Sequence, residues 1–167
     1  QGEDFDSVIA DVDAAKETFS ALFAAARHIV VLLDGAKLLG STSRFATIQR
    51  AAHLLHTLLD AGLLNERSRV FLTVSKYDII LEQNDPKLTA RIERIPGIIT
   101  SQLPDLENRL EFFHLAAMPA VATEEVPVGY NVSALLNALL ETPQQPIIQY
   151  ETPPMRSQCN LWKGRII

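Results

Sequence analysis

Two short runs of apolar residues, separated by a long amphipathic segment, constrain the fold of this chain most. The runs are Ile29–Leu33 and Val70–Val74, and between them Arg44–Ala61 repeats apolar residues every three or four positions. Continuous branched apolar runs are typical of strands covered on both faces of a parallel sheet, and the repeat is typical of a helix that packs on such a sheet. Strands joined through a helix run parallel, so the sequence predicts a strand–helix–strand unit.

The remaining segments extend this pattern. An amphipathic helix is predicted over 6–26, a helix opens at Asp85-Pro86, a third strand covers 110–117, and a last helix covers 131–141. The predicted fold class is α/β, with a three-layer parallel sheet that has helices on both faces. Because Ile29–Leu33 is fully apolar and would lie at the sheet edge, we expect further strands beside it, from a missing N-terminal part or from a partner chain.

Bulk composition excludes several classes of function. Apolar residues make up 47% of the chain, and the net charge of −5 disfavours binding of nucleic acid through the overall field of the protein. No apolar run approaches the roughly 20 residues of a membrane span. The single cysteine, Cys159, cannot form an internal disulfide, which favours a reducing compartment and hence the cytoplasm.

Polar residues follow the second predicted strand in the order Ser75-Lys76-Tyr77-Asp78, a spacing S-K-x-D. Ligands of open parallel sheets lie beyond the carboxyl ends of the strands. Guanine offers two adjacent donors, N1–H and N2–H2, which one carboxylate can accept together, whereas adenine has no such pair. On an extended chain Lys76 and Asp78 would project to the same side, so that the lysine stem could cover the base. The alternative is an exposed turn.

The sequence TVSKYD resembles the N/T-K-x-D motif of the P-loop GTPases. Lys76 and Asp78 match this motif, and Ser75 stands where Asn or Thr is usual. The segment HLAAMPA lies where the base loop of these proteins belongs, so the resemblance implies that Ala116 and Ala117 adjoin the base, with the Ala117 N–H at its carbonyl oxygen. The hydroxyl of Ser75 would tie the turn to its neighbour.

The order of motifs, from GE through VVLLDGAKLL to the S-K-x-D strand, is similar to the bacterial double-GTPase family of prokaryotic conflict systems. This resemblance implies that residues 1–141 form the C-terminal part of a P-loop GTPase-like fold, followed by an extended Pro-containing tail over 142–167. It implies Mg²⁺ with GTP or GDP as the ligand, a partner protein, and either GTP hydrolysis or a nucleotide-dependent switch.

Gly2-Glu3 resembles the end of the D-x-x-G switch motif. The resemblance implies that the Gly2 N–H lies near the γ-phosphate and that Glu3 stands where many GTPases orient the attacking water with Gln. The phosphate loop G-x-x-x-x-G-K-[ST] is absent from the sequence, so we expect the chain to be the second half of the domain. Whether this protein is an enzyme stays open at this point.

Two other functions remain open. The first is a catalytically inactive GTPase-like module that binds partner proteins, which Ser75 and Glu3 both permit. The second is a nucleotide-binding α/β domain without a preference for guanine.

Several other polar residues have structural explanations. Asp34-Gly35 is expected to be a capped turn rather than the phosphoacceptor of a receiver domain. His53 and His56 could ligate a metal but have no evident third ligand. His114 is expected in the core or facing a loop, and Arg44 on the surface, in an ion pair or facing a phosphate.

Overall fold

The structure is a computed structural model that describes Glu17, Phe23, residues 26–64 and residues 66–141. Within these ranges the chain forms a three-stranded sheet with helices. The strands are β1 (His28–Asp34), β2 (Arg69–Ser75) and β3 (Leu110–His114), and the helices are α1 (Gly35–Leu39), α2 (Ser41–Asp60), α3 (Tyr77–Glu82), α4 (Pro86–Glu93), α5 (Ile95–Gln102) and α6 (Val132–Leu140), with a 3-10 turn at Pro104–Leu106.

The sheet is parallel, and its strand order is β1-β2-β3. The register pairs Asp34 with Ser75 and Val74 with His114, so the carboxyl ends of all three strands meet at one edge. The prediction of a parallel sheet in an α/β fold is confirmed. The polar residues that follow the strands are thereby gathered at the edge where ligands of such sheets bind.

The central strand owes its position to its composition. All five residues from Val70 to Val74 are buried in the described structure. Val70, Leu72 and Val74 belong to the main core, whose other fully buried members come from β1, the helices α1 to α5 and the 3-10 turn: Leu33, Leu38, Leu55, Ile80, Ile92, Ile95, Ile99 and Leu106. Each such apolar side chain contributes about 1.5–3 kcal/mol on burial, so this face anchors the sheet.

The opposite face is covered only in part. Phe71 of β2 is fully buried and packs against Leu135 and Ala138 of α6. On β1, by contrast, Leu32 is 65% exposed and Val30 is 39% exposed, so the prediction that both faces of this strand are covered is wrong for the described structure. The neighbouring face of α6 is also open, since Leu140 is 79% exposed.

Helix boundaries follow capping rules that are readable in the sequence. The Asp85 side chain accepts a hydrogen bond from the Lys87 N–H at 2.9 Å, and Pro86 occupies the first turn, so α4 begins as predicted. Gly62 adopts a φ of +66° after α2, which ends the helix in the left-handed conformation that glycine tolerates best.

The helix α4 ends at Glu93, ahead of Pro96, which lies in the first turn of the separate helix α5. Other sequence expectations need correction. The strand β3 ends at His114 rather than Ala117. Phe45, one of the apolar residues whose repeat predicts the packed face of α2, is 67% exposed. The predicted helix over 6–26 and the predicted tail over 142–167 lie almost entirely outside the described residues.

Candidate functional site

The turn after β2 is sharper than the sequence predicts. Lys76 adopts φ 52° and ψ 44°, a left-handed conformation, and α3 begins at Tyr77, the next residue. The expectation that Lys76 and Asp78 project from an extended chain is therefore wrong, since Asp78 lies in the first turn of a helix. A left-handed lysine costs about 1–3 kcal/mol, and such strain persists where surrounding contacts hold it. Strained residues cluster at functional sites.

Backbone contacts hold this turn against the neighbouring strand. The Ser75 hydroxyl donates to the Leu33 carbonyl oxygen at 3.2 Å, which ties the end of β2 to the end of β1. Gly35 lies so close that a Cβ at this position would meet the Ser75 carbonyl oxygen at 2.4 Å and the Lys76 carbonyl oxygen at 2.7 Å. Only a glycine fits in this space, so the two strand ends form one compact unit.

Asp78 is 7% exposed, although it carries an ionisable carboxyl group. Its Oδ2 accepts a hydrogen bond from the Ala120 N–H at 3.2 Å, which links α3 to the loop after β3. A carboxylate has about four lone-pair positions, so this one bond leaves acceptor capacity on both oxygens. Burial of a carboxylate with spare capacity is costly unless further donors reach it. The group is thus suited to accept hydrogen bonds from a ligand.

The loop after β3 brings Ala116 and Ala117 to the same edge. Ala116 is buried and forms a two-way backbone bridge with Tyr130, while the Gly129 N–H donates to the Ala117 carbonyl oxygen at 3.0 Å. Ala117 is exposed, and no hydrogen bond from its N–H is found within the described ranges. The loop therefore presents the Ala117 N–H as a donor, three residues before Ala120, whose N–H donates to Asp78.

An aromatic stack lies beneath this turn and joins the ends of β2 and β3. Tyr77 stacks on His114 with ring centroids 4.1 Å apart, and it lies parallel to Tyr130 at 6.4 Å. Burial raises the pKa of Tyr77, with smaller contributions in the same direction from Glu93 and Tyr130. The stack connects Tyr77, which lies between Lys76 and Asp78, to Tyr130, which forms the backbone bridge with Ala116.

The charge state of His114 is set by the same surroundings. Burial lowers the pKa of His114, and the carboxylate of Glu93 opposes that shift. His114 Nε2 lies 3.3 Å from Glu93 Oε1, but the two atoms are not aligned for a hydrogen bond. Burial has the larger effect, so the histidine favours its neutral form.

Sequence reasoning missed the contact between Asp34 and Lys76. Lys76 Nζ lies 3.2 Å from Asp34 Oδ1 and 3.3 Å from Oδ2, and Asp34 Oδ1 also accepts from the Ala36 N–H. The second bond caps α1, as expected for Asp34 in a structural turn. The ion pair could have been found only from the strand pairing, because its partners are 42 positions apart in the sequence.

The other candidates lie away from this edge or serve the fold. Arg44 Nη1 donates to the Leu38 carbonyl oxygen at 2.9 Å, which joins the start of α2 to α1. That Arg44 faces a phosphate stays a prediction. His56 Nδ1 pairs with Asp60 at 2.8 Å, beside His53 in a shallow groove. In the part of the chain that the structure describes, no group of three or more His, Cys, Asp or Glu residues could hold a metal ion. Gly2 and Glu3 lie outside the described residues.

The arrangement as a whole presents an acceptor, a cation and a donor at one edge. Asp78 can accept from two adjacent N–H groups, the Lys76 stem can cover an apolar surface, and the Ala117 N–H can donate to a carbonyl oxygen. A flat ring with two neighbouring donors and a nearby carbonyl matches all three groups.

Comparison with known families decides the relationship. A family model described as Double-GTPase 2 matches residues 1–140. The chain belongs to the double-GTPase 2 family. The family resemblance seen in the sequence is thus confirmed, and a double-GTPase domain suggests GTPase-like nucleotide binding.

Other comparisons add no second relative for this double-GTPase chain. Neither the curated proteins nor the solved structures contain a match. Among the described helices, none combines the length and the apolar character that crossing a membrane requires.

Proposed function

We propose that this double-GTPase domain binds guanine nucleotide at the edge formed by the ends of β2 and β3. Asp78 accepts from guanine N1–H and N2–H2, the Lys76 stem covers the base and ribose, and the Ala117 N–H donates to O6. Ser75 and Ala116 hold the two loops around the base through their backbone and hydroxyl bonds.

One observation carries the proposal. The Asp78 carboxylate is nearly buried, has one hydrogen bond from the Ala120 N–H, and adjoins the loop that contains Ala117. Because this carboxylate is already fixed, it can accept from two parallel donors with little further loss of side-chain entropy. This favours tight and selective binding. The family match over residues 1–140 supports the same ligand class.

The contacts proposed above concern the base, and the phosphate groups are assigned to other polypeptide. The G-x-x-x-x-G-K-[ST] pattern is absent from the sequence, and β1 lies at the edge of the described sheet, where it pairs with β2 on one side. We assign the phosphates and Mg²⁺ to polypeptide that pairs with the open edge of β1, completing a three-layer P-loop GTPase-like fold. Residues 1–141 are then its C-terminal part and residues 142–167 a tail, with the cytoplasm as the proposed compartment.

GTP hydrolysis or a nucleotide-dependent switch is the proposed outcome of binding. Gly2 is assigned to the γ-phosphate and Glu3 to the attacking water. The exposed apolar side chains of α6 and β1, Leu136, Leu140, Val30 and Leu32, favour a protein partner. They also favour the alternative, a GTPase-like interaction module without turnover, which would bind nucleotide or partner but release no phosphate.

The experiment is a titration of the full-length protein with labelled GTP, ATP and xanthosine triphosphate. Wild type should bind GTP at least about tenfold more tightly than ATP, because ATP lacks the donor pair that Asp78 accepts. Asp78→Asn should lose that preference and gain affinity for the xanthine nucleotide, whose N1–H and O2 match the acceptor and donor of an amide.

Asp105→Asn is the matched control, since it removes an exposed carboxylate in the 3-10 turn. It should bind all three nucleotides as wild type does. Equal affinity of the wild-type protein for GTP and ATP would remove the guanine assignment. Measurement of phosphate release on the same samples separates the GTPase from the inactive module.

A further inference from the structure

The end of β1 lies against the base-binding turn, although the proposed contacts with the base do not involve it. Asp34 and Ser75 are paired in the sheet, and the Asp34 carboxylate reaches the Lys76 ammonium with both oxygens, at 3.2 and 3.3 Å. Gly35 allows this approach because its missing Cβ leaves room for two carbonyl oxygens of the turn. The contact is thus built by Asp34 and Gly35 at the end of β1 and by Ser75 and Lys76 in the turn after β2.

We propose that Asp34 is a positioning residue that holds Lys76 in place for the nucleotide, an inference that rests on the proposed guanine binding. A free lysine side chain loses considerable rotational freedom when a ligand fixes it. An ion pair formed before the ligand arrives removes part of that loss, and pre-organisation of this kind raises affinity. Lys76 is 55% exposed at its side chain, so without Asp34 its ammonium would have few restraints.

The ion pair and the nucleotide use different parts of Lys76, so they do not compete. Asp34 binds the ammonium at the end of the chain, whereas a base would rest on the methylene stem. The ammonium also has three donor hydrogens, so pairing with Asp34 leaves donors for a ribose oxygen. The left-handed backbone of Lys76 and the tether of its ammonium together fix both ends of the side chain.

The role in positioning can be separated from the role in capping. Asp34 Oδ1 also accepts from the Ala36 N–H at 3.1 Å and so caps α1. Asparagine caps helices about as well as aspartate but carries no charge. Asp34→Asn therefore removes the ion pair and retains the cap, whereas Asp34→Ala removes both.

The test is a double-mutant cycle on the full-length protein with fluorescent GDP as the probe. Asp34→Asn should lower the affinity roughly two- to fivefold, the range expected for a partly exposed ion pair. In the Lys76→Met background, which lacks the ammonium, the same change should have no further effect. An equal loss in both backgrounds, an unchanged affinity, or a gain in affinity overturns the positioning role.

A second readout is independent of nucleotide binding. In nucleotide-free protein, the ¹⁵N–¹H signal of the Lys76 ammonium should be protected from exchange in the wild type and should broaden in Asp34→Asn. An identical signal in both overturns the inference. Failure of the wild type to bind GDP, together with the expected change in this signal, overturns the proposed function instead and supports Asp34 as the group that orders Lys76.

Discussion

Replacement of Gly35 by alanine tests how closely the ends of β1 and β2 must approach. The added Cβ would lie 2.4 Å from the Ser75 carbonyl oxygen and 2.7 Å from the Lys76 carbonyl oxygen, whereas ordinary contact begins near 3.4 Å. The strand ends must therefore separate by up to about 1 Å. Both obstacles are backbone atoms, and the Ser75 hydroxyl bond to Leu33 resists their displacement.

The size of the effect follows from two opposing contributions. Overpacking of this kind costs about 1–3 kcal/mol, and alanine in a helix is favoured over glycine by up to about 1 kcal/mol. Since Gly35 is the first residue of the short helix α1, the clash outweighs the helical gain. We expect a net loss of about 1–2 kcal/mol, which lowers the melting temperature by roughly 3–8 °C for a domain of this size.

The matched control is Gly97→Ala. Gly97 lies within α5, and a Cβ there would meet nothing within 4 Å. The free energy of unfolding should rise by about 0.5–1 kcal/mol, because only the helical preference acts. Thermal melts followed by circular dichroism, checked against urea unfolding, should thus shift in opposite directions for the two variants. A melting temperature of Gly35→Ala at or above that of the wild type would refute the reasoning.

Two further changes probe the capping of α4 and the charge of His114. Asp85→Ala should lower the free energy of unfolding, measured in urea, by about 1 kcal/mol, because the Lys87 N–H loses its acceptor. Asp85→Asn should lower it much less, since asparagine also caps helices. Equal losses for the two variants would contradict the role of Asp85 as a cap. For His114, burial places the folded-state pKa below the ordinary value of 6.5, and its ionisable neighbours are Tyr77 and Glu93. The unfolded chain therefore binds the proton more tightly, so stability that is present above about pH 6.5 is lost as the pH falls below it. Urea midpoints between about pH 7.5 and pH 5 should fall further for wild type than for His114→Gln, and parallel curves would contradict this explanation.

The elements that the sequence predicts well are those with a purely local cause. The apolar run Val70–Val74 forms a buried strand, as its continuous apolar composition predicts. Asp85-Pro86 and Gly62 set helix ends through hydrogen bonds and backbone angles within a few residues. The predicted β1 was also found, at His28–Asp34.

The missed features depend on neighbours that are distant in the sequence. The short helices α1 and α3 begin directly after β1 and β2, where the sequence predicted turns. The exposure of the Leu32 and Phe45 side chains depends on whether another part of the protein covers them rather than on their residue type. For the same reason no spacing rule in the sequence could indicate that Lys76 pairs with Asp34.

The amino-acid sequence by itself determined the α/β class, the parallel strands and the identity of the S-K-x-D residues, because periodicity and residue chemistry are local properties of the chain. Tertiary structure alone decided the left-handed turn at Lys76, the bond between Asp78 and Ala120, and the ion pair to Asp34. The two contacts join groups that meet only after strand pairing has aligned the ends of β1, β2 and β3 at one edge, and the turn lies at that same edge.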